Sequence, residues 1–459
     1  MPRVSCASPL NVRPQARSSG LDVSPNGERM KSGKKPMSHL NDIFQVELEK
    51  IPHRFLAKLL KRKLAAQGFD LSDDDARAFA AHIFNSPDES FEWDDGKEGK
   101  NQSISVSLTE AEMQGLELEI SDFTENKLPE LMYSVSRDSA KRIGKSLRKN
   151  WPNQKEYDGA VVADFLDNLE GDWGEAFDIL CMMLTISREI GPEFSAWAAS
   201  GEAPKAPARY EALLKLHARG CQVVDEIICL MENGFADGAF ARWRTLHEIT
   251  VVAALIADGD EELAIRYFDH EAIEAKRAMD QFKVHYEELG YDKPDDDEIA
   301  SIEKTYEEFL ERYGHGFGSE FGWAAPHLGK KRVRFIDLEE AAGQVAARSF
   351  YKFASHNVHA SSKGVNYRLG LIDQDEVLLA GRSNVGFFEP AHNTAKALCQ
   401  LNGTILRDRW DLDTLVTYQI LLNLWDEVPD ACHDTQEAIE ARDEAFKKSQ
   451  MMKDSMEEE

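Results

Sequence analysis

The spacing of apolar residues constrains this chain more than any other feature. From His39 onward, Phe44, Leu48, Ile51, Phe55, Leu59 and Leu60 recur at steps of three and four, as one buried helix face requires. The same period returns over Ala176–Ile190, 208–232, 237–257, 261–289, 295–313, 337–357, 388–407 and 411–428. Gly, Pro, Asn and Asp clusters punctuate these stretches. Ser72 ahead of Asp73-Asp74-Asp75 reads as an N-cap with acids in the first turn. Alternation of Phe91, Trp93, Ile104 and Val106 within 86–107 suggests a β-hairpin, and Val377–Leu379 a short strand. The expectation is an all-α protein: a helical-bundle core, a smaller helical N-terminal module and a minor β element.

The domain reading follows from the breaks. Residues 1–37 carry five prolines and seven basic residues with little apolar content, and read as a disordered tail with Met30 or Met37 as alternative starts. Residues 38–153 form the N-terminal module, closed at Trp151-Pro152-Asn153. Residues 154–430 form the core, and 431–459 a charged, frayed C-terminal tail. A helix break is expected at Gly191-Pro192, and Gly201–Pro207 reads as a linker. No repeat of 20–50 residues is evident, which disfavours a solenoid.

Composition bounds the function. In 459 residues, 82 are acidic and 54 basic, a formal charge of −28. Such a field opposes a global nucleic-acid or anionic-membrane surface. The longest nearly apolar run, Ile249–Ala257, is far short of the roughly 20 residues that span a bilayer. The six cysteines form no Cys-x-x-Cys pair, so reduced thiols in a cytoplasmic protein are expected, without zinc. One local exception to the acidity is the helix bearing Arg137, Lys141, Arg142, Lys145, Arg148 and Lys149. It reads either as a dock for phosphate, RNA or an acidic partner, or as a solvated face paired with the chain's own acidic excess. An exposed apolar face such as Leu415–Leu424 allows a homodimer or protein partner without demanding one.

Local phrases between about 172 and 425 carry a resemblance: Gly-Phe-Ala-Asp-Gly-Ala at 234–239 leading into Arg244-Thr-Leu-His-Glu248, then Arg266-Tyr267-Phe268, Trp323, and Tyr351-x-x-x-Ser355-x-x-x-His359. Together these resemble a bacterial domain-of-unknown-function family, five-six-seven-seven. The resemblance implies a helical core and no established reaction.

Two polar groups stand out inside apolar helices. Arg244 and Glu248, four apart, are helix neighbours on a stretch otherwise rich in Phe240, Trp243, Leu246 and Ile249. An ion pair there either orients helices or makes a site, with Glu248 as base or ligand and Arg244 as anion holder. Tyr351, Ser355 and His359 share a stripe, with Arg348 close by. His359 is the first candidate for acid–base work, and Ser355 could be activated by it, although no nucleophile elbow surrounds it. The expected pocket is therefore Arg244, Glu248, Tyr351, Ser355 and His359. Its uncommitted reading is a binding or regulatory protein. The alternative is a metal-independent RNase-like enzyme of stress or phage defence. Arg242-Trp-Arg-Thr-Leu-His247 is similar to the Arg-x(4–6)-His motif of the nucleotide-binding helical bundles shared by higher eukaryotes and prokaryotes. On a helix, however, those two residues diverge by about 140°. Glu248, His270, Glu271, Glu274 and His359 could supply a bundle metal, but the Glu-x-x-His pair that such sites need twice is not supplied twice. No metal and no cofactor are implied. Tyr313-Gly-His-Gly-Phe-Gly-Ser319 follows a helix and lacks a Lys-Ser/Thr sequel, so it fails as a phosphate loop. It reads instead as a connection or lid, with Phe317, Phe321 and Trp323 over the polar cluster.

Overall fold

A computed structural model describes residues 44–85, 91–93, 106–372, 378–409 and 411–457. Among these residues every regular element is helical. The hairpin expected over 86–107 falls largely outside the described residues, and 91–93 and 106–109 have no regular structure. Leu378 and Leu379 are likewise irregular, and residue 377 is outside the described set. The minor β element is therefore not found among the described residues. No helix in that set is long and apolar enough to cross a membrane.

The chain divides into two compact units, up to Pro152 and from Asn153. In the first, α1 (Ile51–Ala66), α2 (Asp73–Asn85) and α3 (Glu110–Asp122) bury Leu56, Leu60, Leu64, Leu71, Ala76, Ala80 and Leu116. The caps follow sequence logic. Ser72 Oγ accepts from the Asp75 amide at 3.1 Å. Thr109 and Glu112 form a reciprocal capping box. A π-helical turn, Phe123–Lys127, joins α3 to α4 (Leu128–Ala199).

The second unit adds α5 (Pro207–Glu232), α6 (Ala236–Asp258), α7 (Glu261–Asp269), α8 (Glu271–His285) and α9 (Asp296–Tyr313). After two 3-10 turns come α10 (Ala325–Leu328), α11 (Phe335–Ala341), α12 (Arg348–Val358) and α13 (Ser362–Asn366), then α14 (Phe388–Leu406) and α15 (Leu412–Glu457). Helix α6 sits in the middle of this bundle, packed by α5, α12 and α14. That is why its apolar residues run nearly all round, Phe240, Trp243, Leu246, Val251 and Ile256 all being buried. Buried indoles find acceptors: Trp243 Nε1 donates to Asn393 O at 2.9 Å and Trp173 Nε1 to Asn384 O at 2.8 Å. Gly220 lets α14 close in, because a Cβ there would lie 2.3 Å from Leu401 Cδ2.

Several expected breaks are corrected. Helix α4 runs through both Trp151-Pro152 and Gly191-Pro192 to Ala199. Around residue 152 the helix is exposed, so water can satisfy the carbonyl that a proline leaves without its amide donor. The expected helix over 261–289 is two, bent at His270, and the one over 337–357 is split between α11 and α12. The C-terminal segment is not frayed: α15 continues through Pro429 to Glu457. Val428, Cys432 and Ile439 carry the buried face onward, and Thr435 Oγ1 donates to Asp172 O at 3.1 Å.

Candidate functional site

Helix α6 places Arg244, His247 and Glu248 along one side, because steps of three and four return to the same face. Helix α12 brings Arg348 and Tyr351 against it. The Tyr351 hydroxyl donates to Glu248 Oε1 at 2.7 Å and accepts from Arg244 Nη2 at 2.7 Å. Arg244 and Glu248 are themselves paired at 3.2 Å. The Arg244 guanidinium also lies over the Tyr351 ring, 4.8 Å from its centroid. Burial, followed by the bond to Glu248, pushes the phenol up to about 12. It stays protonated at any ordinary pH.

One layer deeper lies a group the sequence did not signal. Glu339, from α11, is fully buried. It accepts from His247 Nε2 at 3.0 Å and from Arg348 Nη1. Burial pulls the His247 imidazole below its ordinary value, with Glu339 opposing. The contact is therefore a neutral N–H donating to a carboxylate, and Arg348 supplies the countercharge. Phe335 covers both layers, its ring 5.0 Å from that of Tyr351 and 6.0 Å from that of His247. Thr250 Oγ1, donating to Gln344 Oε1 at 3.0 Å, closes the far end. Glu339 could not be picked from a chain with 82 acidic residues. Its only sequence trace is the apolar company of Phe335, Ile336 and Leu338.

Two members of the expected pocket are not part of it. His359 is exposed, at the C-cap of α12, where the helical geometry that would have put it on the Tyr351 stripe has ended. Ser355 Oγ donates to Tyr351 O at 2.7 Å, an internal helix bond rather than a histidine contact. Arg242 is paired with Glu226 of α5 while His247 faces Glu339, so the two residues of the RNase-like string serve different partners. Arg137, Lys141, Lys145 and Arg148 lie on an exposed stretch of α4. Among the described residues, no three His, Cys, Asp or Glu side chains are grouped to hold a metal ion; His270 Nε2 donates to Ser319 O at 2.9 Å.

The glycine-rich loop is packed, not a lid. Phe317, Trp323 and Ala324 are buried, and a Cβ at Gly322 would meet Phe317 O at 2.2 Å. Phe317 and Trp323 serve another residue, Arg266. Its guanidinium lies 4.3 Å from the Tyr313 ring centroid and 5.2 Å from that of Phe317, and its Nε donates to Trp323 O at 3.2 Å. Tyr267 packs edge-on to Trp323. Two separate sequence phrases thus meet in space. Phe321 alone reaches toward the polar cluster, through Phe335. Surface clefts lie elsewhere, one lined by Glu193, Trp197, Asp408 and Arg409 and another by Arg266, Tyr313 and Lys330.

Fold and site define an all-α bundle protein with a two-layer polar network: His247 and Glu339 are buried, the Arg244–Glu248 pair is partly exposed, and Arg244 Nε is left without a partner among the described residues. Comparison adds a likeness over part of the chain: residues 210–377 match the model of a family of unknown function, DUF5677, in agreement with the local phrases. That span holds every member of the network, from Arg244 to Tyr351. No curated protein and no solved structure matches the chain.

Proposed function

We propose that this is a non-catalytic binding or regulatory protein whose polar network clamps α6, α11 and α12 together. One observation carries the reading: the Tyr351 hydroxyl is engaged by Glu248 and by Arg244, both at 2.7 Å. General acid–base work needs a group free to exchange a proton with substrate. Here the phenol is held protonated, Glu339 is saturated, and His247 is shut from solvent. A cytoplasmic setting belongs to the same proposal, since Cys221, Cys399 and Cys432 are free, buried thiols.

The RNase-like alternative draws on the basic stretch of α4, and the burial of His247 counts against it. The test is hydrolysis of single-stranded RNA by the purified protein. The expected result is no cleavage above a blank, in the parent and in His359→Ala alike. Cleavage by the parent that His359→Ala or Arg244→Lys abolishes, at unchanged melting temperature, overturns the proposal.

A further inference from the structure

From residue 131 to 161, α4 packs against nothing among the described residues: every residue is exposed except Ser134, Ser139 and Gly144, which are half-buried. At about 1.5 Å per residue this is roughly 45 Å of unsupported helix. Isolated helices are marginal in water, and most helical stability comes from packing an apolar face. Such a face is present. Ile143, Leu147, Trp151, Tyr157 and Val161 follow steps of four and six, and Leu147, Trp151 and Tyr157 are 64%, 58% and 67% exposed.

We infer that this face pairs with the same face of a second copy of the chain, antiparallel and centred at the level of Pro152. Three features of the sequence select that occupant. The first is symmetry: Ile143 and Val161 each lie nine residues from Pro152, and Leu147 and Tyr157 each lie five. A two-fold axis at that level sets Ile143 against Val161 of the second copy and Leu147 against Tyr157 of the second copy, an isologous contact. The second is the place of the proline. Nine residues make about two and a half turns, so Pro152 points away from the face carrying Ile143 and Val161 and does not interrupt it.

The third is charge. Before Pro152 the helix carries Arg137, Lys141, Arg142, Lys145, Arg148 and Lys149; after it come Glu156, Asp158, Asp164 and Asp167. Antiparallel pairing lays each basic block along the acidic block of the other copy, with Arg142 near Asp164 and Lys149 near Glu156. Parallel pairing would stack like charges. Two chains of formal charge −28 repel unless opposite blocks meet locally. The basic patch thereby finds its partner in the protein's own acids. This inference goes beyond the non-catalytic reading and stands on separate residues.

The test uses the full chain. Sedimentation should show a dimer. Leu147→Glu, at an exposed position, should weaken it about tenfold or more without lowering the melting temperature below that of the parent diluted to monomer. Arg142→Asp and Asp164→Arg should each weaken the dimer, and their combination should restore it. With Cys6, Cys181 and Cys229 replaced by Ser, a Leu147→Cys/Tyr157→Cys chain should form covalent dimers on oxidation, whereas Lys145→Cys, on the opposite face, should not. A monomeric parent, a dimer indifferent to Leu147→Glu, or equal cross-linking through Lys145→Cys would overturn the inference. Any of these would leave the RNA result, and the reading it tests, untouched.

Discussion

His247 and Glu339 meet at 3.0 Å in a place where neither side chain reaches solvent, the imidazole being 1% exposed and the carboxylate 0%. The carboxylate is tolerable there because Arg348 approaches its other oxygen. Each member is thus the reason the next can be buried. Glu339→Ala strands the Arg348 charge and the His247 donor together, and should cost about 3–5 kcal/mol. Glu339→Gln retains an acceptor for one of them and should cost less. Urea unfolding of the two variants gives the comparison, and a cost for Glu339→Ala below that of Glu339→Gln would contradict the arrangement.

Tyr351, Arg244 and Glu248 should behave as one unit in a mutant cycle. Removing the hydroxyl by Tyr351→Phe leaves the direct Arg244–Glu248 pair in place, so the expected loss is modest, about 1–2 kcal/mol. Groups sharing a hydrogen-bond network do not add. Combining Tyr351→Phe with Glu248→Gln should therefore cost less than the two single changes together. Strict additivity, measured by the same urea titrations, would mean the hydroxyl bond contributes nothing.

The fold was legible where periodicity alone decided it. The apolar steps of α5, α6 and α14 located three central helices, and the Ser72 cap formed as its sequence implied. Sequence reasoning also paired Arg244 with Glu248 through helix spacing, and put Tyr351 among the candidates. It failed at His359 because a stripe extrapolated at four-residue steps presumes that the helix continues, whereas α12 stops at Val358. It missed Glu339 because burial of a carboxylate depends on Arg348 and His247 arriving from other helices, which no local pattern encodes. Prolines misled it in α4, where a surface helix tolerates one freed carbonyl; in α15 the charge of 431–459 hid the buried face that Cys432 and Ile439 continue.

His359→Ala separates the two accounts of α12 directly. At an exposed helix end the change should alter stability by no more than about 0.5 kcal/mol. A pocket histidine bonded to Glu248 would register a far larger loss in the same thermal melt.

Gly322 is a position where a single methyl should be costly. A Cβ there would sit 2.2 Å from Phe317 O and 2.7 Å from Gly316 O, both backbone atoms that cannot swing aside. The strain would pass to the loop that holds Trp323 O against Arg266. Gly322→Ala should cost about 1–3 kcal/mol, as overpacked sites do. Gly316→Ala, whose Cβ meets nothing within 4 Å, serves as the control in the same loop. Equal melting temperatures for the two variants would refute the packed-loop description.

Acid should destabilise the protein from near neutrality downward, through its interior histidines. Burial lowers the values of His217, His247 and His270 below the ordinary 6.5. Each makes a hydrogen bond as the neutral ring, His217 Nε2 donating to Asn402 Oδ1 at 3.0 Å. Above about pH 6.5 the folded and unfolded forms are both neutral at these sites, and the stabilising contribution is complete. Below it the unfolded chain takes up protons that the folded chain refuses, so stability falls toward each folded value. The slope is up to about 1.4 kcal/mol per pH unit for each histidine. The carboxylates act lower on the scale: Lys330, and then the Arg334 amide, hold Asp337 below its ordinary value, and its contribution is lost only well into acid. Urea midpoints measured between about pH 7.5 and 5.5 should therefore decline, and His217→Gln, which keeps a donor for Asn402 but cannot titrate, should flatten the decline by one histidine's share. A midpoint that rises as the pH falls through this window would reverse the sign of the argument and place charged, not neutral, imidazoles in the core.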